Sequence, residues 1–260
     1  MPSDIIYNRE KEGFRMNGPK KHRTVSIEQS ARYDMHSEFT GRDYTVKVWW
    51  SGSGIDPDKT YDVLYLLDGD HLFGLATDTV QYLLYTKKLP NFVIISPSYG
   101  SKISPDFGGK NCRNVDFIPY KLIEGSEPGG LRYYEFLTKE LQPEMEKKLR
   151  LDTGQRLLFG YSYGAIMALY TLTRPDHPFQ SIIALDWCNE KLLEILQHNR
   201  DLVSLNTLFL GSGFNDMFPI YAILKPSGIH KIEYAKLSSR EHFAAPGEGL
   251  ARGLMSIYDF

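Results

Sequence analysis

The sequence is short of several things, and each shortage excludes something. Cysteine is scarce: Cys112 and Cys188 are the only two in 260 residues. Two thiols allow one disulfide at most, so a small disulfide-stapled fold is excluded. No run approaches the ~20 apolar residues that span a bilayer. An excess of one charge is also missing, since 30 Lys and Arg against 32 Asp and Glu leave a formal charge of −2. That balance argues against nucleic acid or an anionic membrane held by bulk electrostatics. The histidines, at 22, 36, 71, 177, 198, 230 and 242, include no His-x-x-x-His pair. The N-terminal stretch has no apolar core of a secretory leader. The expectations are therefore a cytoplasmic protein with no metal, no nucleic acid and no membrane partner.

What is present fits one α/β domain. Residues 1–22 read as a loose arm and 23–260 as the domain, which is long enough for a large core. Strands are expected at Thr24–Arg32 and, with clearer alternation, at Asp43–Trp50. Short, largely apolar runs follow at Asp62–Leu67, Phe92–Ile95, Arg156–Phe159, Ser181–Leu185 and Thr207–Leu210, and a further strand is expected at Lys231–Ala235. Such runs suit strands covered on both faces. Helices are expected at Leu72–Tyr85, Leu131–Leu149, Ile166–Thr173 and Pro246–Tyr258, with Pro143 kinking or breaking the second. Residues 97–130 read as one long loop, and loops of that length usually serve function. Strands alternating with helices predict a mostly parallel sheet with helices on both faces.

One motif carries chemistry. Gly160-Tyr161-Ser162-Tyr163-Gly164 lies between a buried strand and a helix. A sharp strand-to-helix turn can lift a serine clear of the sheet, and glycines two before and two after relieve the crowding. The pattern alone is weak, but its position sharpens it. Ser162 is the expected nucleophile, and it needs a base. In the order Ser, acid, His, the base is His242, just past the last expected strand. The acid is expected at Asp216, after the fifth strand of the parallel run, with Asp186, after the fourth, or no effective acid as the alternatives. Glu241 adjoins the histidine, but sequence neighbours rarely face each other. Asp216 could instead cap a helix. The expected oxyanion donors are the backbone N–H groups of Tyr163 and Asp70. Asp68, Asp70 and His71 could alternatively suggest a metal site, but no second cluster offers further ligands.

These residues resemble a known family. Ser37–Tyr44 (SEFTGRDY), Val63–Asp70 (VLYLLDGD), Glu135-Phe136-Leu137 with Glu140–Pro143, GYSYGA at 160–165 and His242-Phe243 are similar to blocks of the "Putative esterase" family. That family includes esterase D-like and siderophore esterases. The resemblance implies an α/β-hydrolase fold and cofactor-free hydrolysis of carboxylic esters, with Ser162 and His242 catalytic. It also implies a substrate-facing place for Arg113, within Arg113–Pro119. Arg113 would bind an anionic group there or pair with Asp116. Trp187 and other loop aromatics (Tyr99, Phe107, Phe117, Phe214, Phe218) are candidates to line the pocket. The chain departs from the family at Tyr161, Ala165 and Ala184–Cys188. The reading is a serine carboxylesterase acting on a small-molecule ester. Its rivals are an acyltransferase and a non-catalytic binding protein on the same fold.

Overall fold

The computed structural model describes residues 26–99, 112–122 and 127–260. The expected arm, residues 1–22, and Phe107 lie outside them. Eight strands form one sheet: β1 (Ser30–Ser37), β2 (Arg42–Trp50), β3 (Thr60–Leu66), β4 (Phe92–Ser98), β5 (Asp152–Tyr161), β6 (Ser181–Leu185), β7 (Ser204–Ser212) and β8 (Gly228–Lys236). Their order is β1-β2-β4-β3-β5-β6-β7-β8. β1, β2 and β4 pair antiparallel, and every pair from β4 through β3 to β8 is parallel. This is the mostly parallel α/β-hydrolase arrangement that the alternating runs predict.

The helices are α1 (Gly69–Leu84), α2 (Arg113–Asp116), α3 (Gly130–Glu135), α4 (Gln142–Leu149), α5 (Tyr163–Thr171), α6 (Glu190–Asn199), α7 (Phe218–Leu224) and α8 (Ala245–Ile257). Alternate residues of β3 serve the two faces. Val63 and Tyr65 enter a core with α3–α7, while Leu64 and Leu66 enter a second core with α1 and α8. Both layers exclude water from the sheet, which is the main stabilising term.

Three expectations are corrected. The first strand runs from Ser30 to Ser37, later than the expected Thr24–Arg32, of which 24–25 lie outside the described residues, because it is a hairpin partner of β2. Gly41, at φ 66°, turns that hairpin. The long loop contains the short helix α2. Pro143 does not break its helix. The chain widens into a π-helical turn over Phe136–Leu141, and α4 resumes with proline in its first turn. Proline has no N–H to give to the preceding turn, and the wider turn just before it accommodates that gap. α6 and α7 were not among the expected elements.

Candidate active site

Three neighbouring parallel strands, β3, β5 and β6, end in residues with left-handed backbone: Asp68 (φ 63°), Ser162 (φ 56°) and Asp186 (φ 62°). None is glycine. Backbone of this kind costs on the order of 1–3 kcal/mol and clusters at functional sites. It places three polar side chains at the carboxyl ends of these inner strands.

The Ser162 turn shows why the glycines are there. A Cβ on Gly160 would overlap the carbonyl of Gly164. One on Gly164 would sit 3.2 Å from Asp68 Oδ2, a tight but lesser contact. Ser162 precedes α5, and its carbonyl accepts the Ala165 N–H at 2.8 Å. The sharp turn leaves the Ser162 side chain at the mouth of a cleft of about 250 Å³, with Asn114, Tyr163, Trp187 and His242 on its walls.

His242 comes from the turn between β8 and α8. Its Nε2 lies 3.1 Å from Ser162 Oγ, and its Nδ1 lies 2.5 Å from Asp186 Oδ2. Asp186 is completely buried. The N–H groups of Gly213 and Asn215 donate to its Oδ1 at 3.1 and 2.6 Å. The Asn215 side-chain amide donates to its backbone carbonyl at 3.0 Å. These donors replace the water that burial removes.

The carboxylate beside His242 is thus Asp186, and the expectation of Asp216 is corrected. Asp216 is exposed and accepts from the Phe218 N–H (3.0 Å) and the Tyr234 hydroxyl (2.9 Å). It lies one residue before the N-cap, Met217, and folds an Asx-type turn into α7 rather than capping the helix. It borders a separate groove of about 620 Å³ with Lys236, Arg240 and Glu241, and Ser162 does not border that groove. The loop expected to supply the acid supplies its backbone donors instead.

Tyr161, where the chain departs from the family pattern, faces the histidine. Its hydroxyl donates to the His242 carbonyl at 2.6 Å, and its ring lies 4.8 Å from the imidazole. Burial, with the charge of Asp186 nearby, raises its phenol well above the ordinary range, so it remains a donor. Phe214 and Phe243 lie 6.4 and 5.4 Å from the same imidazole. Trp187 packs edge-on against Tyr163 at 4.8 Å.

Arg113 is nearly buried and grips Asp68, with Nε and Nη2 each meeting one carboxylate oxygen. Burial opposes its charge, but the Asp68 carboxylate outweighs this and raises its pKa. The expected partner, Asp116, is engaged elsewhere, with Arg42 (2.5 Å), Tyr44 (2.8 Å) and Tyr99 (3.1 Å). Asp70 turns its carboxylate away from the cleft, onto Ser98 Oγ and the Tyr99 N–H. Asp68, Asp70 and His71 therefore do not converge as a metal cluster would. Cys112 and Cys188 are free thiols. Among the described residues, no helix is long and apolar enough to cross a membrane.

A serine on a strained strand-to-helix turn, in line with a histidine and a buried aspartate, defines a serine hydrolase on an α/β-hydrolase fold. The model of the family described as "Putative esterase" matches residues 37–218, and the chain belongs to that family. It is an ester hydrolase. The chain is 26% identical over 225 residues to the ferri-bacillibactin esterase BesA of Bacillus subtilis, spanning 72% of this chain and 75% of that one. It is 27% identical over 201 residues to a siderophore enterobactin esterase of Emericella nidulans, spanning 68% and 66% of the two chains. Among solved structures, the siderophore hydrolase EstB of Aspergillus nidulans superposes with a TM-score of 0.76 at 17% identity, over 91% of this chain and 97% of that one.

Proposed function

We propose that the chain hydrolyses a siderophore-type ester through an acyl-enzyme on Ser162. The observation that carries the mechanism is the continuous line from Asp186 through His242 to Ser162 Oγ. Ser162 attacks the ester carbonyl while His242 Nε2 takes its proton. The same nitrogen then delivers that proton to the leaving alcohol. Water, deprotonated by His242, releases the acid and restores the serine. Asp186 accepts the Nδ1 proton bond, fixes the ring and stabilises the imidazolium.

The oxyanion is held by the N–H groups of Tyr163 and Asp70. Both lie in the first turn of a helix, α5 and α1, where N–H groups have no intrahelical acceptor. The two helices start at the ends of adjacent strands, and Leu67 N–H to Phe159 O at 3.1 Å ties those ends together. Lys47 Nζ holds the Gly69 carbonyl at 2.8 Å and steadies the α1 turn. Arg113 and Trp187 face the substrate. The siderophore assignment follows the relatives' activities.

A fluorophosphonate probe is expected to label the wild-type chain at Ser162, and Ser162→Ala to remove both labelling and ester turnover. Labelling that persists elsewhere with activity intact would sink the nucleophile assignment. Mass spectrometry of enterobactin and ferri-bacillibactin after incubation tests the substrate. Cleavage of simple esters with no cleavage of either siderophore refutes that part alone.

A further inference from the structure

Beside the Ser162 cleft lies a second chamber of about 380 Å³, and three residues, Arg113, Tyr161 and Phe243, border both. Much of its wall is apolar: Leu72 and Leu75 from α1, Pro246 from α8, and Phe243 from the turn that carries His242. Phe243 is 68% exposed and Leu75 40%. An apolar group that settles on side chains gathered in this way removes apolar surface from water on both partners, which is favourable.

The chamber's polar floor is the Asp68–Arg113 pair. Two of the Arg113 donor groups are already committed to the two oxygens of Asp68. Its charge is balanced within the pair, and its guanidinium also stacks near the Phe117 and Tyr163 rings. A carboxylate entering the chamber would meet Asp68 as well as Arg113, and would lose its water for little return. An uncharged alkyl or aryl group would lose only unfavourable hydration. His71 is the other basic group on the wall among the described residues.

We infer that this chamber is a specificity pocket for an uncharged apolar group of the ester, gated in size by Leu75 and selecting against anionic groups. It rests on Ser162 being the nucleophile, and it reverses the expectation that Arg113 recruits an anion. The group can belong to the acyl side or the alcohol side of the ester; the chemistry required is the same.

The test compares kcat/KM for p-nitrophenyl acetate, butyrate and hexanoate with that for mono-p-nitrophenyl adipate, which carries a terminal carboxylate on a six-carbon chain. A second series holds the acyl group as acetyl and lengthens the alcohol. In one of the two series, kcat/KM is expected to rise by up to about fourfold per methylene. The adipate ester is expected to fall at least about tenfold below hexanoate, an unpaired buried charge being costly. Leu75→Trp should collapse the long-to-short ratio in the responding series toward one, and Leu75→Ala should move the optimum to longer chains. Thermal melts of both variants check that the fold is kept.

If neither series responds to length or to Leu75→Trp, or if adipate matches hexanoate, the inference is overturned. Wild-type protein that neither takes the fluorophosphonate nor cleaves the acetate overturns the nucleophile assignment first, and the chamber's role with it.

Discussion

Asp186 and Asp216 leave neighbouring strands, β6 and β7, at the same edge of the sheet, yet their surroundings oppose each other. Asp186 lies one residue beyond its strand, in left-handed backbone, without solvent exposure. Its oxygens are divided between His242 and two backbone N–H groups. Asp216 lies four residues beyond its strand, exposed, at the start of α7. A carboxylate that must hold an imidazole needs a fixed position and full compensation for its burial. One that begins a helix needs neither, since water can replace what it accepts. The difference teaches that the carboxylate partner of His242 is selected by its donors and by the strand it leaves. β6 lies directly beside β5, whose end carries Ser162, whereas β7 lies one strand further out.

Asp186→Asn breaks the comparison most severely. An amide there favours the wrong imidazole tautomer, and kcat for a simple p-nitrophenyl ester should drop by about 10³–10⁴. Tyr161→Phe probes the opposite side of the same histidine. It removes the 2.6 Å bond to the His242 carbonyl, and one such bond is worth ~0.5–1.5 kcal/mol. A kcat loss of about three- to tenfold with KM little changed is expected; a change in KM alone would assign Tyr161 to binding. Asp216→Asn should leave activity within about twofold and stability within ~0.5 kcal/mol in urea titrations, because Asn serves a helix start as well as Asp.

A half-buried group with weaker compensation sharpens the contrast further. His177 is held below its ordinary pKa of 6.5 by partial burial, only partly offset by a backbone group of Ser204, the charge of Asp176 and a backbone group of Phe179. The unfolded chain therefore takes up its proton at higher pH than the folded one. The stability tied to the neutral ring is complete above 6.5 and is lost as pH falls through the lower folded value. His177→Gln should flatten the urea midpoint against pH over that window, and an unchanged slope would contradict the assignment.

Much of this was legible in the residues. Strands buried on both faces, such as Phe92–Ser98, announce themselves as continuous apolar runs because no alternation is needed when helices cover both sides. Ser162 was legible because Gly160 has no substitute: a side chain there meets the Gly164 carbonyl. The pairing of His242 with Ser162 was legible from its order in the chain. Asp186 was harder, since Leu185-Asp186-Trp187 carries no motif and its two donors come from 27 and 29 residues downstream. A local signal did exist against Asp216: Pro219 falls in the first turn of α7 and marks the preceding residues as a helix start. The partner of Arg113 could not be read locally either, because Asp68 is 45 residues away, while the neighbouring Asp116 is taken by Arg42 from β2.

The most direct measurement is the rate at which a fluorophosphonate labels Ser162 in the wild type, Asp186→Asn and Asp216→Asn, side by side. Labelling reads activation of the serine and needs no knowledge of the substrate. The geometry predicts Asp216→Asn at the wild-type rate and Asp186→Asn slower by at least about a hundredfold. Equal rates in all three proteins, or slow labelling in Asp216→Asn with Asp186→Asn unimpaired, would contradict the Asp186–His242–Ser162 assignment.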